Sequence, residues 1–178
     1  HHQKFLAVRY ARNPADDVAF LGGIDLAAGR RDDDAHLGDP QAVASSRWYG
    51  PTPPWHDVQL QVRGPAVCDV EDVFRERWRR SAVPPSVVST PAAGSCAVQI
   101  LRTYPARPRR SFAPKGERSI ARAYAKALNR AQRLVYVEDQ YMWSFDVAIV
   151  FAAALHRAPR LQVIAVVPRY PDVERRLY

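Results

Sequence analysis

The chain has 178 residues, 47% of them hydrophobic, which allows a sizeable core and excludes an intrinsically disordered protein. The formal net charge is +8, and only three of the 26 basic residues are lysines. Two explanations of this arginine excess stay open: a coding bias, or attraction to anionic phosphates or a lipid surface. No apolar run reaches the roughly 18 residues of a membrane span. The two cysteines lack zinc-site spacing, so we expect reduced thiols with no role in a site.

The first part of the chain is expected to contain three strands, a long loop and a helix. In chain order we predict strands at 4–9 and 17–22, a loop at 29–56, a strand at 57–63 and a helix that starts after Gly64-Pro65. The helix carries five apolar side chains at core spacing, namely Val67, Val70, Val73, Phe74 and Trp78. We therefore expect both aromatic side chains of this helix to belong to the core.

The second part alternates strands with helices, which implies a parallel or mixed sheet with helices on its faces. It is preceded by a stretch rich in Pro, Ser and Ala at 81–95, which predicts a linker. The predicted elements are a strand at 97–102, a basic Pro-rich loop at 105–115, a helix at 117–131, a strand at 134–138, a helix at 145–156 and a strand at 161–167. The expected fold class is α/β.

The strongest candidate site residues are His2 and Lys4. Residues two apart on a strand point to the same face, so an imidazole that can attack or transfer a proton lies beside a fixed cation. Gly22-Gly23-Ile24-Asp25 ends the second strand and lets the backbone approach a ligand closely. These groups suit phosphodiester chemistry. Taken singly, each has an ordinary explanation: a structural or tag-derived histidine, and a glycine pair in a turn.

Four segments together resemble the phospholipase D superfamily, in the family's order and over nearly the whole chain. They are His2-Gln3-Lys4 with Gly22-Gly23-Ile24-Asp25, Gly29-Arg30-Arg31-Asp32-Asp33, Pro54-Trp55-His56-Asp57, and Val137-Glu138-Asp139-Gln140-Tyr141. A His-x-Lys motif alone is weakly specific, but the later segments are similar to those of eukaryotic-type phospholipases D rather than short nucleases. The resemblance implies a phospholipase D-like α/β sandwich, with a mixed sheet flanked by helices.

The resemblance also implies a two-step phosphoryl transfer that requires no metal or cofactor. One histidine attacks phosphorus to give a phosphohistidine, and a second protonates the leaving alcohol. In this sequence His2 would be the nucleophile and Lys4 would bind the non-bridging oxygens. Asp57 would hydrogen-bond His2, fix its tautomer and stabilise its charged form.

Further residues would shape the pocket around the phosphate. Asp25 stands where the family has Asn or Asp closing the phosphate pocket, and Gly23 lies beside it. Gln140 and Tyr141, at the end of a strand, are possible pocket residues. We also expect the strand that starts at Asp57 to be a neighbour of the strand that carries His2.

The sequence departs from the family pattern at several positions. The family usually has Asp five residues after the lysine, where this chain has Arg9, so Asp16 or Asp17 could take over that structural role. Asp139 stands where Asn is usual, and Arg31 where Trp is usual. The largest departure is that no second His-x-Lys occurs in these residues.

Two-motif members of the family have two similar halves with one site between them. On this pattern, residues 1–80 would be the remainder of the first half, 81–95 a linker and 96–178 the start of the second half without its motif. The missing half-site would come from the rest of the gene or from another chain.

The favoured function is therefore a phosphodiesterase or phosphatidyltransferase that cleaves the head-group side of a glycerophospholipid at a membrane surface. We expect no stable nucleic-acid partner and a cytoplasmic or peripheral membrane location. The alternatives are a nuclease-like phosphodiesterase of the same superfamily and a non-catalytic or half-site domain. The sequence does not fix the lipid head group.

Overall fold

The computed structural model describes residues 3–27, 30–35, 48–49, 55–78, 88–109 and 112–170. The chain divides into two compact units. Unit 1 consists of residues 1–44 and 49–100, and unit 2 of residues 45–48 and 101–178. Whether these units are the two halves of a phospholipase D, with a linker at 81–95, stays a prediction.

Unit 1 is built on a three-stranded antiparallel sheet. Its strands are β1 (Phe5–Val8), β2 (Val18–Gly22) and β3 (Gln59–Arg63), in the order β1-β2-β3. A short 3-10 helix, Pro14–Asp16, lies in the connection between β1 and β2. The three predicted strands are thus confirmed. The expectation that the strand following Asp57 neighbours the strand near His2 is wrong, because β2 pairs with both of the others and lies between them.

One helix, α1 (Ala66–Arg77), packs on this sheet. Ala19, Val67 and Val70 form its buried core. The expectation that the helix aromatics belong to the core is wrong, since Phe74 is 39% and Trp78 49% exposed. Burial falls along the helix axis towards its carboxyl end. Helical spacing identifies the side chains that share a face, but it does not show how far the surface beneath that face extends.

A buried polar network fastens the β1–β2 connection to the segment at 88–90. Asp17 is 1% exposed, and its Oδ2 lies 3.2 Å from Arg9 Nε. Thr90 Oγ1 donates to Asp17 Oδ2 at 2.8 Å, and the Tyr10 backbone N donates to Asp17 Oδ1 at 2.7 Å. Of the two candidate aspartates, Asp17 and not the exposed Asp16 therefore pairs with Arg9, whose Nη1 also lies 3.5 Å from Glu71 Oε2.

Unit 2 combines short and longer elements. In chain order they are β4 (Thr103–Tyr104), β5 (Glu117–Arg118), α2 (Ser119–Arg130), β6 (Leu134–Glu138), α3 (Phe145–Arg157) and β7 (Gln162–Val166). Strands β4 and β5 pair antiparallel, whereas β6 and β7 pair parallel with α3 connecting them. The core cluster is drawn from α2, α3 and the segment before β7. The parallel pair with its helical connection confirms the α/β class.

The strand predicted at 97–102 does not form. Ile100 packs against the core of unit 1, and pairing begins only at Thr103. Ser119 Oγ accepts from the Arg102 backbone N and donates to its carbonyl oxygen, both at 2.8 Å. The Ser119 hydroxyl therefore satisfies the backbone N–H and C=O of Arg102, which would otherwise pair with a neighbouring strand. Among the described residues, none of the helices is long and apolar enough to cross a membrane.

Candidate active site

The candidate site lies at one end of the unit 1 sheet. Lys4 precedes β1, Gly22 ends β2, and Asp57 lies two residues before β3. In the antiparallel register Phe5 is opposite Leu21 and Gly22 is opposite Gln59. The start of β1, the end of β2 and the start of β3 therefore lie together at the same end of the sheet. Residues separated by more than 50 positions in the sequence are thereby brought together.

The two glycines allow this close meeting. The Gly22 N–H donates to the Lys4 carbonyl oxygen at 3.3 Å, and the Gly23 N–H donates to the Val58 carbonyl oxygen at 3.0 Å. A methyl group at Gly22 would overlap the Val58 carbonyl oxygen, and one at Gly23 would overlap the Asp57 carboxylate. Gly22 therefore excludes a side chain because the Val58 carbonyl is backbone, whereas Gly23 admits one only if the Asp57 carboxylate turns away.

Two cations share one carboxylate at this edge. Asp25 Oδ2 lies 3.2 Å from Lys4 Nζ and 3.9 Å from Arg30 Nε. The three side chains are partly exposed, at 42%, 26% and 34% respectively, so solvent screens the attraction. The trio carries one net positive charge, which leaves it able to attract a phosphate anion.

Arg30 is the residue that the sequence analysis missed. Its guanidinium carbon lies 4.0 Å from the centroid of the Trp55 ring, within the range of a cation–π contact. The Trp55 backbone N donates to Asp32 Oδ2 at 2.6 Å. These contacts join the segment at 30–32 to the segment at 55–57. Both segments had been noted for their resemblance, but spacing alone gave no reason to place them together.

The predicted site residues that the structure describes fall into two groups, one in each unit. Lys4, Gly23, Asp25 and Asp57 meet at the edge of unit 1. His2 lies outside the described residues, so its distance from Asp57 stays a prediction. In the described part of the chain, no group of three or more His, Cys, Asp or Glu side chains is placed to hold a metal ion.

Gln140 and Tyr141 belong to unit 2, where they line a cavity of about 230 Å³. Its walls come from residues 140–143 after β6 and 167–170 after β7. The carboxyl ends of neighbouring parallel strands are a common location for ligand sites in α/β folds. The Tyr141 and Trp143 rings meet edge to face there, with their centroids 5.0 Å apart.

Comparison with known proteins places the chain in a family. Residues 1–104 match the family model described as Phospholipase D. Relatives include "Phospholipase D alpha 1" of Cynara cardunculus and "Phospholipase D alpha 2" of Oryza sativa subsp. japonica, each 30% identical over 98% of this chain. The "Phospholipase D alpha 1" of Carica papaya is 29% identical over 97%. The chain belongs to the phospholipase D family, and it spans about 29% of the length of the first two of these relatives.

Proposed function

We propose that this chain contributes one half of the active site of a phospholipase D-type phosphodiesterase or phosphatidyltransferase. Its substrate is a glycerophospholipid, cleaved on the head-group side of the phosphorus. The observation that carries the proposal is that Lys4, Gly23, Asp25 and Asp57 meet at one end of the sheet. His2 lies two residues before Lys4 in the sequence. Membership of the phospholipase D family supports the same reaction class.

The first chemical step is attack on phosphorus by the neutral imidazole of His2. A nitrogen–phosphorus bond forms and the bond from phosphorus to the head-group oxygen breaks. The head-group alcohol leaves with a proton from a second imidazole. Water or another alcohol then attacks phosphorus and gives its proton to the second imidazole, while the nitrogen–phosphorus bond breaks. The phosphatidyl group leaves as phosphatidic acid or as a new ester, and both imidazoles are restored.

The side chains of unit 1 have distinct parts in this mechanism. Lys4 neutralises the non-bridging oxygens, and Asp57 holds His2 in the tautomer that presents the attacking nitrogen. Asp25 keeps the Lys4 ammonium in place before the substrate binds, with Nζ and Oδ2 3.2 Å apart. A phosphodiester carries one negative charge, which matches the one net positive charge of Lys4, Asp25 and Arg30.

The second imidazole is not supplied by a second His-x-Lys in these 178 residues. The rest of the protein or another chain would provide it. This requirement keeps a half-site domain without its own turnover as the alternative function.

The deciding experiment traps the intermediate. The full-length protein would be mixed with phosphatidylcholine labelled in its phosphate and quenched in alkali, in which phosphohistidine survives. We expect label on the protein, and phosphatidylbutanol when butanol is present. His2→Ala should abolish both signals, whereas His156→Ala, which changes an exposed histidine on α3, should leave them unchanged.

Three results would contradict the proposal. Labelled protein in the His2→Ala variant would assign the nucleophile elsewhere. Cleavage of single-stranded DNA with no reaction of phosphatidylcholine would identify the nuclease-like alternative, and absence of both reactions would identify a non-catalytic domain.

A further inference from the structure

Arg30 is held beside the candidate site by contacts on two sides. Its guanidinium carbon lies 4.0 Å from the centroid of the Trp55 ring. Its backbone N donates to the Ala27 carbonyl oxygen at 2.9 Å, and the Ala27 N donates to the Asp25 carbonyl oxygen at 2.8 Å. These two turns lead the chain back on itself, so that Arg30 Nε lies 3.9 Å from the carboxylate oxygen that also faces Lys4.

The two ion pairs of Asp25 differ in kind. Lys4 Nζ lies 3.2 Å from Asp25 Oδ2, within the range of a hydrogen bond, whereas Arg30 Nε at 3.9 Å is beyond that range. A guanidinium presents several N–H donors in a planar fork that matches both oxygens of a carboxylate. Asp25 is therefore hydrogen-bonded to one cation and has a second cation nearby that is able to replace the first.

Lys4 cannot serve Asp25 and a substrate phosphate equally well. A phosphodiester carries one negative charge, so its approach to the Lys4 ammonium brings a second anion towards the Asp25 carboxylate. Two anions that share one ammonium repel each other, and this repulsion opposes binding. A second cation on Asp25 removes the conflict, because the carboxylate then stays neutralised after Lys4 turns to the phosphate. Arg30 is placed for this task, since it faces the same oxygen as Lys4.

We propose that Arg30 is a positioning residue that takes over the Asp25 carboxylate when Lys4 engages the substrate phosphate. This inference rests on the proposed function, in which Lys4 binds the non-bridging oxygens. Arg30 acts through Asp25, and the Trp55 ring holds the guanidinium beside the carboxylate. Because Lys4, Asp25 and Arg30 are all partly exposed, solvent screens the charges and the effect on affinity is several-fold.

The test measures equilibrium binding without turnover. Full-length protein carrying His2→Ala would be titrated in a calorimeter with dibutyrylphosphatidylcholine, a phosphodiester that dissolves as a monomer. Arg30→Gln removes the second cation, and we expect the Kd to rise about fivefold, as for the loss of a good but partly exposed ion pair.

Arg63→Gln is the matched control, since Arg63 is an exposed arginine at the opposite end of β3 from Gln59. Four residues of strand separate it from the site by about 13 Å. That distance exceeds the screening length at physiological salt, so the control should change the Kd less than about twofold. Equal losses in Arg30→Gln and Arg63→Gln would overturn the proposal, because net charge alone would then govern binding.

Further variants separate positioning from a merely structural role. Asp25→Asn removes the charge that Arg30 neutralises, so Arg30→Gln should change the Kd less than about twofold in that background. Arg30→Lys keeps the charge and should recover most of the affinity that Arg30→Gln loses. A loss of the same size with Asp25 and with Asn at position 25 would overturn the proposal, because Arg30 would then contact phosphate directly or only support the fold. An unchanged Kd in Arg30→Gln would overturn it as well.

Binding to the His2→Ala protein requires no chemistry, so the two proposals fail separately. Coupling between Arg30 and Asp25 without phosphohistidine formation by the protein that retains His2 would overturn the proposed function alone. Phosphohistidine formation with an unchanged Kd in Arg30→Gln would overturn the positioning role alone. Absence of binding to the His2→Ala parent would also overturn the positioning role, since Lys4 would then hold no phosphate.

Discussion

The two parts of the chain use their cations differently. Residues 1–100 contain eleven Lys and Arg against twelve Asp and Glu, whereas residues 101–178 contain fifteen against six. In the first part, the cations described at the site and in the core meet carboxylates: Lys4 and Arg30 at Asp25, Arg9 at Asp17, and Arg75 at Glu71. In the second part Arg102 meets Glu117 at 2.8 Å, but a row of four cations is exposed on α2 and just before it, namely Arg118, Arg122, Lys126 and Arg130.

The difference shows that the net charge of a chain does not reveal whether its Arg and Lys side chains form ion pairs or are exposed to solvent. Paired cations fix internal geometry, as Arg9 does where Asp17 is almost completely buried. The exposed row on α2 instead places like charges four residues apart, which repel one another, and only Arg130, in the last turn, is favourable to the helix dipole. The net charge of +8 is the sum of −1 in residues 1–100 and +9 in residues 101–178, so the excess of positive charge belongs to the second part of the chain.

The largest expected effect concerns the half-site. If unit 1 holds one imidazole and one lysine of the site, these 178 residues alone should hydrolyse phosphatidylcholine negligibly. Loss of the general acid alone costs about 10²- to 10⁴-fold in rate, and the uncompensated phosphate charge adds to this. Initial rates of the purified chain and the full-length protein on the same micelles would measure the ratio.

Rapid hydrolysis by the isolated chain that is lost in His2→Ala would contradict this prediction. It would indicate that two copies pair their His2 sites. A concentration-dependent specific activity would then accompany it.

The second prediction tests whether the paired cations are structural. Asp17→Asn removes the charge facing Arg9 in a buried network, and we expect the free energy of unfolding to fall by about 3 kcal/mol. Asp16→Asn is the matched control, since Asp16 is exposed and only accepts a hydrogen bond from Asn13. Its cost should stay below about 0.5 kcal/mol. Urea unfolding followed by circular dichroism measures both, and equal costs would show that Asp17 has no special role.

The third prediction concerns the close approach at the site edge. Gly23→Ala puts a methyl group into the space of the Asp57 carboxylate, which is exposed and can turn away. We therefore expect a loss of about 1 kcal/mol in unfolding free energy, at the low end of the cost of overpacking. In an Asp57→Ala background the obstacle is absent, and Gly23→Ala should cost much less. A double-mutant cycle from urea unfolding measures this coupling, and additive losses would mean that the two positions do not meet.

The sequence predicted the elements whose periodicity is complete. It identified β1 to β3, α1 to α3 and the parallel pair β6–β7, because alternation and helical spacing each extend over a whole element there. It failed at 97–102, where Ser119 satisfies the Arg102 backbone from 17 residues away. It also failed at Phe74, whose burial depends on how far the sheet extends beneath α1.

The site was recovered in part for a similar reason. Lys4, Gly23 and Asp25 stood out because a cation and a close-approach turn suit phosphodiester chemistry, and Asp57 stood out through the resemblance to the phospholipase D superfamily. Arg30 did not, because its position depends on Trp55 and on the path of the chain between the two. Long-range contacts through irregular segments leave no periodic signal in a sequence.

The fourth prediction concerns the unpaired cations. Arg122→Gln/Lys126→Gln relieves repulsion between neighbours on α2, so the free energy of unfolding should not fall and should rise by about 0.2–0.5 kcal/mol for each like-charge pair removed. Low-salt urea unfolding measures this gain, which salt should reduce. A clear loss of stability would mean that these side chains have partners within the folded protein.

The smallest expected effect concerns a thiol beside a paired cation. Burial opposes the ionisation of Cys68, but hydrogen bonds from Thr90 and from the Arg9 guanidinium outweigh it and lower the pKa of Cys68 below its ordinary value. The distance from Arg9 Nη1 to Cys68 Sγ is 3.1 Å. Because the folded-state pKa is depressed, the thiolate stabilises the fold at pH above the ordinary thiol pKa, and this contribution is lost as the pH falls through the folded-state pKa.

Alkylation by iodoacetamide reports the thiolate directly. In a Cys96→Ser variant, whose one remaining thiol is Cys68, the alkylation rate should reach half its maximum at a lower pH in the folded protein than in the same protein unfolded in urea. The comparison uses the midpoint of the pH profile, because differences in exposure change the maximum rate and not the midpoint. Coincident midpoints would show that the contacts with Thr90 and Arg9 leave the thiol unperturbed.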